Sequence, residues 1–386
     1  MATTLVSGVQ YSGIWTMQQV NAAVAANTWP IAYNEQYLYS WGRNNFGQLG
    51  LGNITNYSSP KQVGSLITWL KIAGSYHTVS IKTDGTLWGW GNNSQGQLGL
   101  GNTTYYSSPK QVGALTAWSN IVVCNGSSGS SIATKTNGTL WSWGSNGNGQ
   151  LGLGNLTNYS SPKQVGALTN WLLLAAGEYH VAAIKTDGTL WAWGLNSSGQ
   201  LGLGNTTGYS SPKQVGALTA WSSIACGNLH TILVKTDGTL WTWGSNGSGR
   251  LGLGNTTNYS SPKQVGALTN WSKVAGGLNQ TIAVKTDGTL WSWGNNSMGQ
   301  LGLGNTSNYS SPKQVGALTS WLNISAAYHC IAKKTDGTLW GWGFNNVGQL
   351  GLGNTTYYSS PKQIGALTTW VTINCGARYT LAVASA

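Results

Sequence analysis

The sequence predicts an all-β protein: a seven-bladed β-propeller whose N- and C-terminal strands pair to close the ring. Three observations lead there. First, a unit of 49 to 53 residues recurs seven times, with its Trp-Gly pair at Trp41, Trp90, Trp143, Trp193, Trp243, Trp293 and Trp342. Second, each unit carries four short strand patterns and no helical periodicity over ten residues, the signature of a propeller blade. Third, the ends are complementary. The chain stops after an apolar strand at 379–386 with no Lys-Thr-Asp-Gly behind it, and the first unit opens at 37–41 with no such strand before it. Pairing the two removes the free edges of an open array.

Taken in order, residues 1–33 lie outside the ring and 34–386 within it. Thr16 can cap a short helix over 17–26, which Trp29-Pro30 ends. In the unit at 171–216, residues 172–176 and 181–185 are apolar runs, and 189–193 alternates with period two. Asp187-Gly188 between the last two reads as a two-residue hairpin turn with positive φ at both positions. A fourth strand, 211–215, carries Pro212, which cannot donate a ladder hydrogen bond and so belongs at an edge. Of the 22 Trp, 20 occupy three repeated positions, with Tyr39 in the one vacancy. Indoles at fixed strand positions read as core, each burying ~150–250 Å², rather than as stacking platforms for sugars or bases.

Composition narrows the function. Charged residues are 7% of the 386, against ~25% in an ordinary globular protein. All five Asp (Asp84, Asp187, Asp237, Asp287 and Asp336) fall in hairpin turns. With two Glu and four His besides, no paired carboxylates and no Ser-His-Asp set can be assembled, which points to a non-enzyme without a cofactor. His77, His180, His230 and His329 share one repeat position, filled elsewhere by Gln280 and Tyr379. Equivalent positions in a ring stand too far apart to converge on a metal at ~2.0–2.1 Å, so these read as structural hydrogen-bonding groups. Cys124, Cys226 and Cys375 share a register and read as small buried residues. The recurring Gly-Gln-Leu-Gly-Leu-Gly opens a polar loop and no helix, so it reads as a turn and not a phosphate loop.

The net charge is +12, but most of the 16 Lys sit at two fixed repeat positions, which speaks against a nucleic-acid patch. Lys61 and its six equivalents form a ring able to steer the protein toward an acidic partner or a phosphorylated glycan, or simply to keep it soluble. No stretch reaches the ~18 apolar residues of a membrane span. Residues 1–13 lack the basic and apolar regions of a signal peptide, so synthesis in a cytosol is expected.

The string Gly-x-Tyr-His-x-x-x-Ile-Lys-Thr-Asp-Gly-Thr-Leu-Trp-x-Trp-Gly, at 177–194, followed by Gly-Gln-Leu-Gly-Leu-Gly-Asn, at 199–205, resembles the regulator-of-chromosome-condensation repeat. The resemblance covers about nine-tenths of the chain and implies seven four-stranded blades. Members include a nucleotide-exchange factor, a plant ultraviolet photoreceptor and bacterial proteins that bind or inhibit other proteins, so the fold does not fix the function. The photoreceptor would want Trp where this chain has Tyr76, Tyr179, Leu229 and Tyr328, and the exchange factor works through an acidic face that this chain lacks. Residues 12–30, bounded by Trp15 and by Trp29-Pro30, are similar to short segments of tailed-bacteriophage structural proteins. That similarity implies attachment to other virion proteins through residues 1–33.

Comparing the units with one another, variation gathers in two loops, one after the first strand and one after Trp-Gly, and strand direction puts both on one face. The rare residue types fall there: Arg43, Phe46, Tyr76, Glu178, Tyr179, Arg250, Met298, Phe344 and Arg378. Arg and aromatic residues are favoured interface anchors. The expectation is a bacteriophage tail or surface protein, located in the virion, whose loop face binds a host surface protein, a glycan or another virion protein. The alternative is a soluble bacterial propeller that binds or inhibits a partner.

Overall fold

The computed structural model describes residues 2–6, 9–13, 35–126 and 129–385, the first two segments as backbone only. The helix expected over 17–26, and with it Trp15 and Trp29, lies outside the described residues. Among those described there is no helix.

Seven four-stranded antiparallel sheets form the ring, numbered here as blades 1 to 7. Blade 1 runs outward from the axis as Trp69–Gly74, His77–Lys82, Leu87–Gly91 and Tyr106–Gln111. Blades 2 to 6 repeat it, beginning with Trp118–Cys124, Trp171–Ala176, Trp221–Cys226, Trp271–Gly276 and Trp321–Ala326. Blade 7 is composite. Its two inner strands are Trp370–Cys375 and Tyr379–Ser385, and its two outer ones are Gln36–Gly42 and Tyr57–Gln62. Seven residue pairs, Gln36↔Ser385 through Gly42↔Tyr379, join the two ends, as their complementarity predicts. The Ser-Ser-Pro-Lys strand is the outer edge of every blade, where the missing Pro donor costs nothing. The first strands line an axial channel whose waist includes Ile72, Ile121, Leu174 and Ile324. Before the ring, Ala2–Val6 pairs antiparallel with Val9–Gly13, a hairpin that the sequence reading missed.

The repeat's composition follows from how blades join. Trp143, fully buried, donates from Nε1 to the Gln97 carbonyl of the preceding blade at 2.9 Å. Gly99 lets the indole in: its φ is +78°, and a Cβ there would lie 2.8 Å from that Nε1. This accounts for the Gly-Gln-Leu-Gly motif as an inter-blade socket. The first Trp of the pair donates to a turn Thr, as Trp191 does to Thr189 Oγ1 at 2.9 Å. The Lys before that turn lies between two indoles, Lys185 Nζ being 3.7 Å from the Trp191 ring centre and 4.9 Å from that of Trp171. One of the two fixed Lys positions is thus a cation–π clamp. The other, Lys61 and its equivalents, lies 5.3–5.6 Å from the Tyr ring four residues back on the outer strand.

The Asp-Gly turn needs correcting. Gly85 N donates to Lys82 O at 2.9 Å and Lys82 N to Thr86 O at 3.1 Å, so the loop is three residues, Thr83-Asp84-Gly85. Only the Gly has positive φ, at +76°. Asp84 instead accepts from the Thr86 backbone and hydroxyl at 2.9 and 2.6 Å, which favours a turn closed by a Gly bulge over the two-residue form.

Candidate partner-binding face

Both variable loops of each blade emerge at one end, and in blades 1 to 5 and 7 a backbone bond joins them. Asn92 N donates to Tyr76 O, Leu195 N to Tyr179 O, and Arg43 N to Arg378 O. On this face blades 6, 7 and 1 carry a continuous Arg–aromatic arc. The Arg378 guanidinium lies 5.2 Å from the Tyr328 ring and 5.4 Å from Phe344, which packs 5.0 Å from Tyr357. Across the Arg43–Arg378 backbone bond, Arg43 lies 5.6 Å from Phe46 and 5.7 Å from Tyr76, and Phe46 meets Tyr105 edge-on at 5.8 Å. Neither Arg has a carboxylate partner, since Lys235–Asp237 is the only ion pair among the described residues. At the axis the same face opens a cavity of about 210 Å³ lined by Tyr76, Asn125, Glu178, Asn228, Leu278 and Tyr328. Glu178 brings a carboxylate to this end, while every Asp lies in the turns at the other.

The arc therefore gathers Arg43, Phe46, Tyr76, Phe344 and Arg378 from the expected set. Tyr179 and Met298 stand on the same face in blades 3 and 5, and Met298 is exposed. Two expectations are corrected. Phe344 is 8% exposed because Tyr328 and Tyr357 cover it, so Tyr357, at 43%, is the accessible ring. Arg250 is buried, in the register held elsewhere by Gln48, Gln97, Gln150, Gln200, Gln300 and Gln349, and is not a surface anchor. Those Gln carbonyls cap the loop, as Gln200 Oε1 accepts from Ser198 N at 2.9 Å. An Arg cannot accept, its buried Nε lacks a partner, and Trp293 Nε1 in the next blade is also unpartnered. Arg250→Gln is therefore expected to stabilise the protein by about 0.5–1.5 kcal/mol, read as a higher urea midpoint at unchanged slope.

Sequence reasoning missed Tyr105 and Tyr357. The signal was present: both stand beside the conserved-register Tyr (Tyr106 and Tyr358), where the other units have Asn or Gly.

Beneath the loops, the four His sit as structural latches. His180 Nε2 lies 3.0 Å from Thr231 Oγ1 of the next blade, whose own hydrogen goes to Gln200 O at 2.8 Å. His180 must then carry its proton on Nε2, which leaves Nδ1 buried and unpartnered. His77, His230 and His329 repeat the arrangement with Ser131, Thr281 and Thr380. Gly177 makes room, since a Cβ there would be 2.2 Å from the imidazole. Burial holds His77, His180 and His329 down at about 3, so they are neutral at pH 7. Cys124, Cys226 and Cys375 are buried free thiols, pushed up to about 12 chiefly by desolvation, and Cys330 is a fourth buried free thiol.

Fold and face together define a seven-bladed propeller with a chemically distinct, loop-built face at one end. The regulator of chromosome condensation (RCC1) repeat matches seven times, at residues 36–81, 84–132, 137–184, 187–234, 237–284, 287–332 and 336–383, and the chain belongs to that family. Each matched repeat runs from the third strand of one blade to the second strand of the next. The X-linked retinitis pigmentosa GTPase regulators of Homo sapiens and Canis lupus familiaris are similar at 33% and 34% identity over 140 and 131 residues, 35% and 33% of this chain. The match spans only 14% and 13% of those relatives. Yeast RCC1 (Prp20), solved bound to Kap60, is similar in fold, with a TM-score of 0.81 at 21% identity, covering 91% of this chain and 89% of that one. Human WBSCR16 has the same TM-score at 20% identity, covering 91% of this chain and 99% of the other.

Proposed function

We propose that this chain is a non-catalytic binding propeller whose loop face engages a host surface protein or glycan, and that it works as a bacteriophage virion component held through residues 1–33. The Arg–aromatic arc across blades 6, 7 and 1 carries the binding reading: two arginines without counter-ions and six aromatic rings converge where otherwise near-identical repeats differ. The similar Prp20 structures, described bound to Kap60 or with binding to Gsp1p and histones, are consistent with a propeller that binds proteins. The virion setting is supported by the likeness of residues 12–30 to segments of tailed-phage structural proteins.

The test is competition for adsorption to host cells between source particles and purified protein. Wild type is expected to compete, and the combined variant Arg43→Ala, Phe46→Ala, Tyr357→Ala and Arg378→Ala to need at least about 100-fold more protein. Equal competition by both would contradict the loop-face reading. A chain that never enters particles would favour the soluble-inhibitor alternative.

A further inference from the structure

The turn end of the axial channel holds a site of different chemistry. A pocket of about 400 Å³ is walled there by the inner strands of blades 4 to 7, with Ser223, Ser272, Lys273, Asn323 and Thr372 among its lining residues and no carboxylate. Lys273 Nζ donates to Leu322 O at 2.9 Å and to Asn323 Oδ1 at 2.7 Å, both on the next blade. This fixes the ammonium and leaves one of its three N–H groups free. Ser223, Ser272 and Thr372 add three hydroxyl donors to the lining, and no anionic side chain stands among them.

One blade further, Lys333 stands where the other second strands have Ile81, Thr134, Ile184, Val234, Val284 and Val383. Its Nζ donates to Trp370 O at 2.9 Å and Val371 O at 3.2 Å. Burial pushes both ammoniums below their ordinary value, and the charge of Lys273 pushes Lys333 down further. Neither has a counter-ion, since the only ion pair among the described residues lies elsewhere. Replacing an aliphatic strand residue by Lys costs desolvation and side-chain entropy, which backbone carbonyls offset only in part. A bound anion would offset the rest.

We propose that this pocket binds a small oxyanion, a phosphate or carboxylate group, through Lys273 Nζ and the hydroxyls of Ser223, Ser272 and Thr372, with Lys333 adding positive potential from the next blade. The site lies at the opposite end from the loop face and does not depend on that reading.

The test titrates the full chain with inorganic phosphate and, separately, with succinate at constant ionic strength, following the methyl resonances of Ile324, Ile373 and Thr372. Saturable shifts confined to those methyls, with a Kd below about 10 mM, are expected for at least one anion. Preference for phosphate marks a phosphoryl-bearing ligand, and preference for succinate a carboxylate-bearing one. Lys273→Met is expected to weaken binding at least about tenfold. The combined Ser223→Ala, Ser272→Ala and Thr372→Val variant, which keeps the lysine, should weaken it too, while Lys61→Met on the outer strand leaves it unchanged. Shifts that never saturate, or that match wild type in both pocket variants, would overturn the proposal.

Discussion

A chain ending at Arg378 is expected not to fold. The lost strand, Tyr379–Ser385, lies between Trp370–Cys375 and Gln36–Gly42, so its removal separates the two halves of blade 7. Tyr379, Leu381, Ala382 and Val383 are all fully buried. Tyr379 takes the register of the latch histidines, and its hydroxyl donates to His77 O at 2.7 Å, tying blade 7 to blade 1. Truncating one buried Leu or aromatic side chain typically costs about 2–5 kcal/mol. Losing three large ones with their ladder exceeds the roughly 5–15 kcal/mol that holds a whole domain together. The opened ring would also expose unpaired edges. Near-ultraviolet circular dichroism should show the loss of fixed Trp environments, with aggregation on gel filtration. A truncated chain that stays monomeric with native signal would show that closure is dispensable.

The second large effect is acid unfolding governed by the latch histidines. Unfolded His takes up a proton near pH 6.5, whereas His77, His180 and His329 in the fold resist until about 3, and His230 is also held well below its ordinary value. Desolvation is the main cause in each, and for His230 the neighbouring Arg250 charge adds to it. Below pH 6.5 the unfolded state therefore binds more protons, so this stability is fully present above 6.5 and is lost as pH falls toward 3. His77, His180 and His329 each contribute about 1.4 kcal/mol per pH unit in that window, about 4 kcal/mol per unit together, and His230 adds in the same direction. Two units below 6.5 should then exhaust most of the stability of a typical domain. Gln280 shows that the register accepts a neutral amide, which is buried and donates to Ala327 O at 2.8 Å. Replacing all four His by Gln should move the acid midpoint down by about a pH unit or more, measured by circular dichroism. An unchanged midpoint would mean that other groups control acid unfolding.

Ring closure, strand order and the edge position of the Pro strand were legible because period and end complementarity are sequence properties. The Trp core was legible for the same reason: a residue repeated at one strand position in every blade faces the same surroundings each time. What did not show was local competition. The Asp84 side chain bonds its own turn and selects the three-residue form over the one that Asp-Gly suggests. Arg250 looked like a surface anchor because Arg usually is one, but its register points inward. Phe344 is hidden by rings that arrive from a different loop and from the end of the outer strand. The arc itself was half visible: rare residue types marked its face, but which of them meet depends on the ring bringing blade 6, the composite blade 7 and blade 1 side by side.

Cryo-electron microscopy of the native source of this chain tests the central claim most directly. Particles bearing seven-bladed rings, attached through residues 1–33, with Arg43, Phe46, Tyr357 and Arg378 facing outward, are expected. Particles without the ring, and the chain recovered only as a free soluble protein, would contradict it.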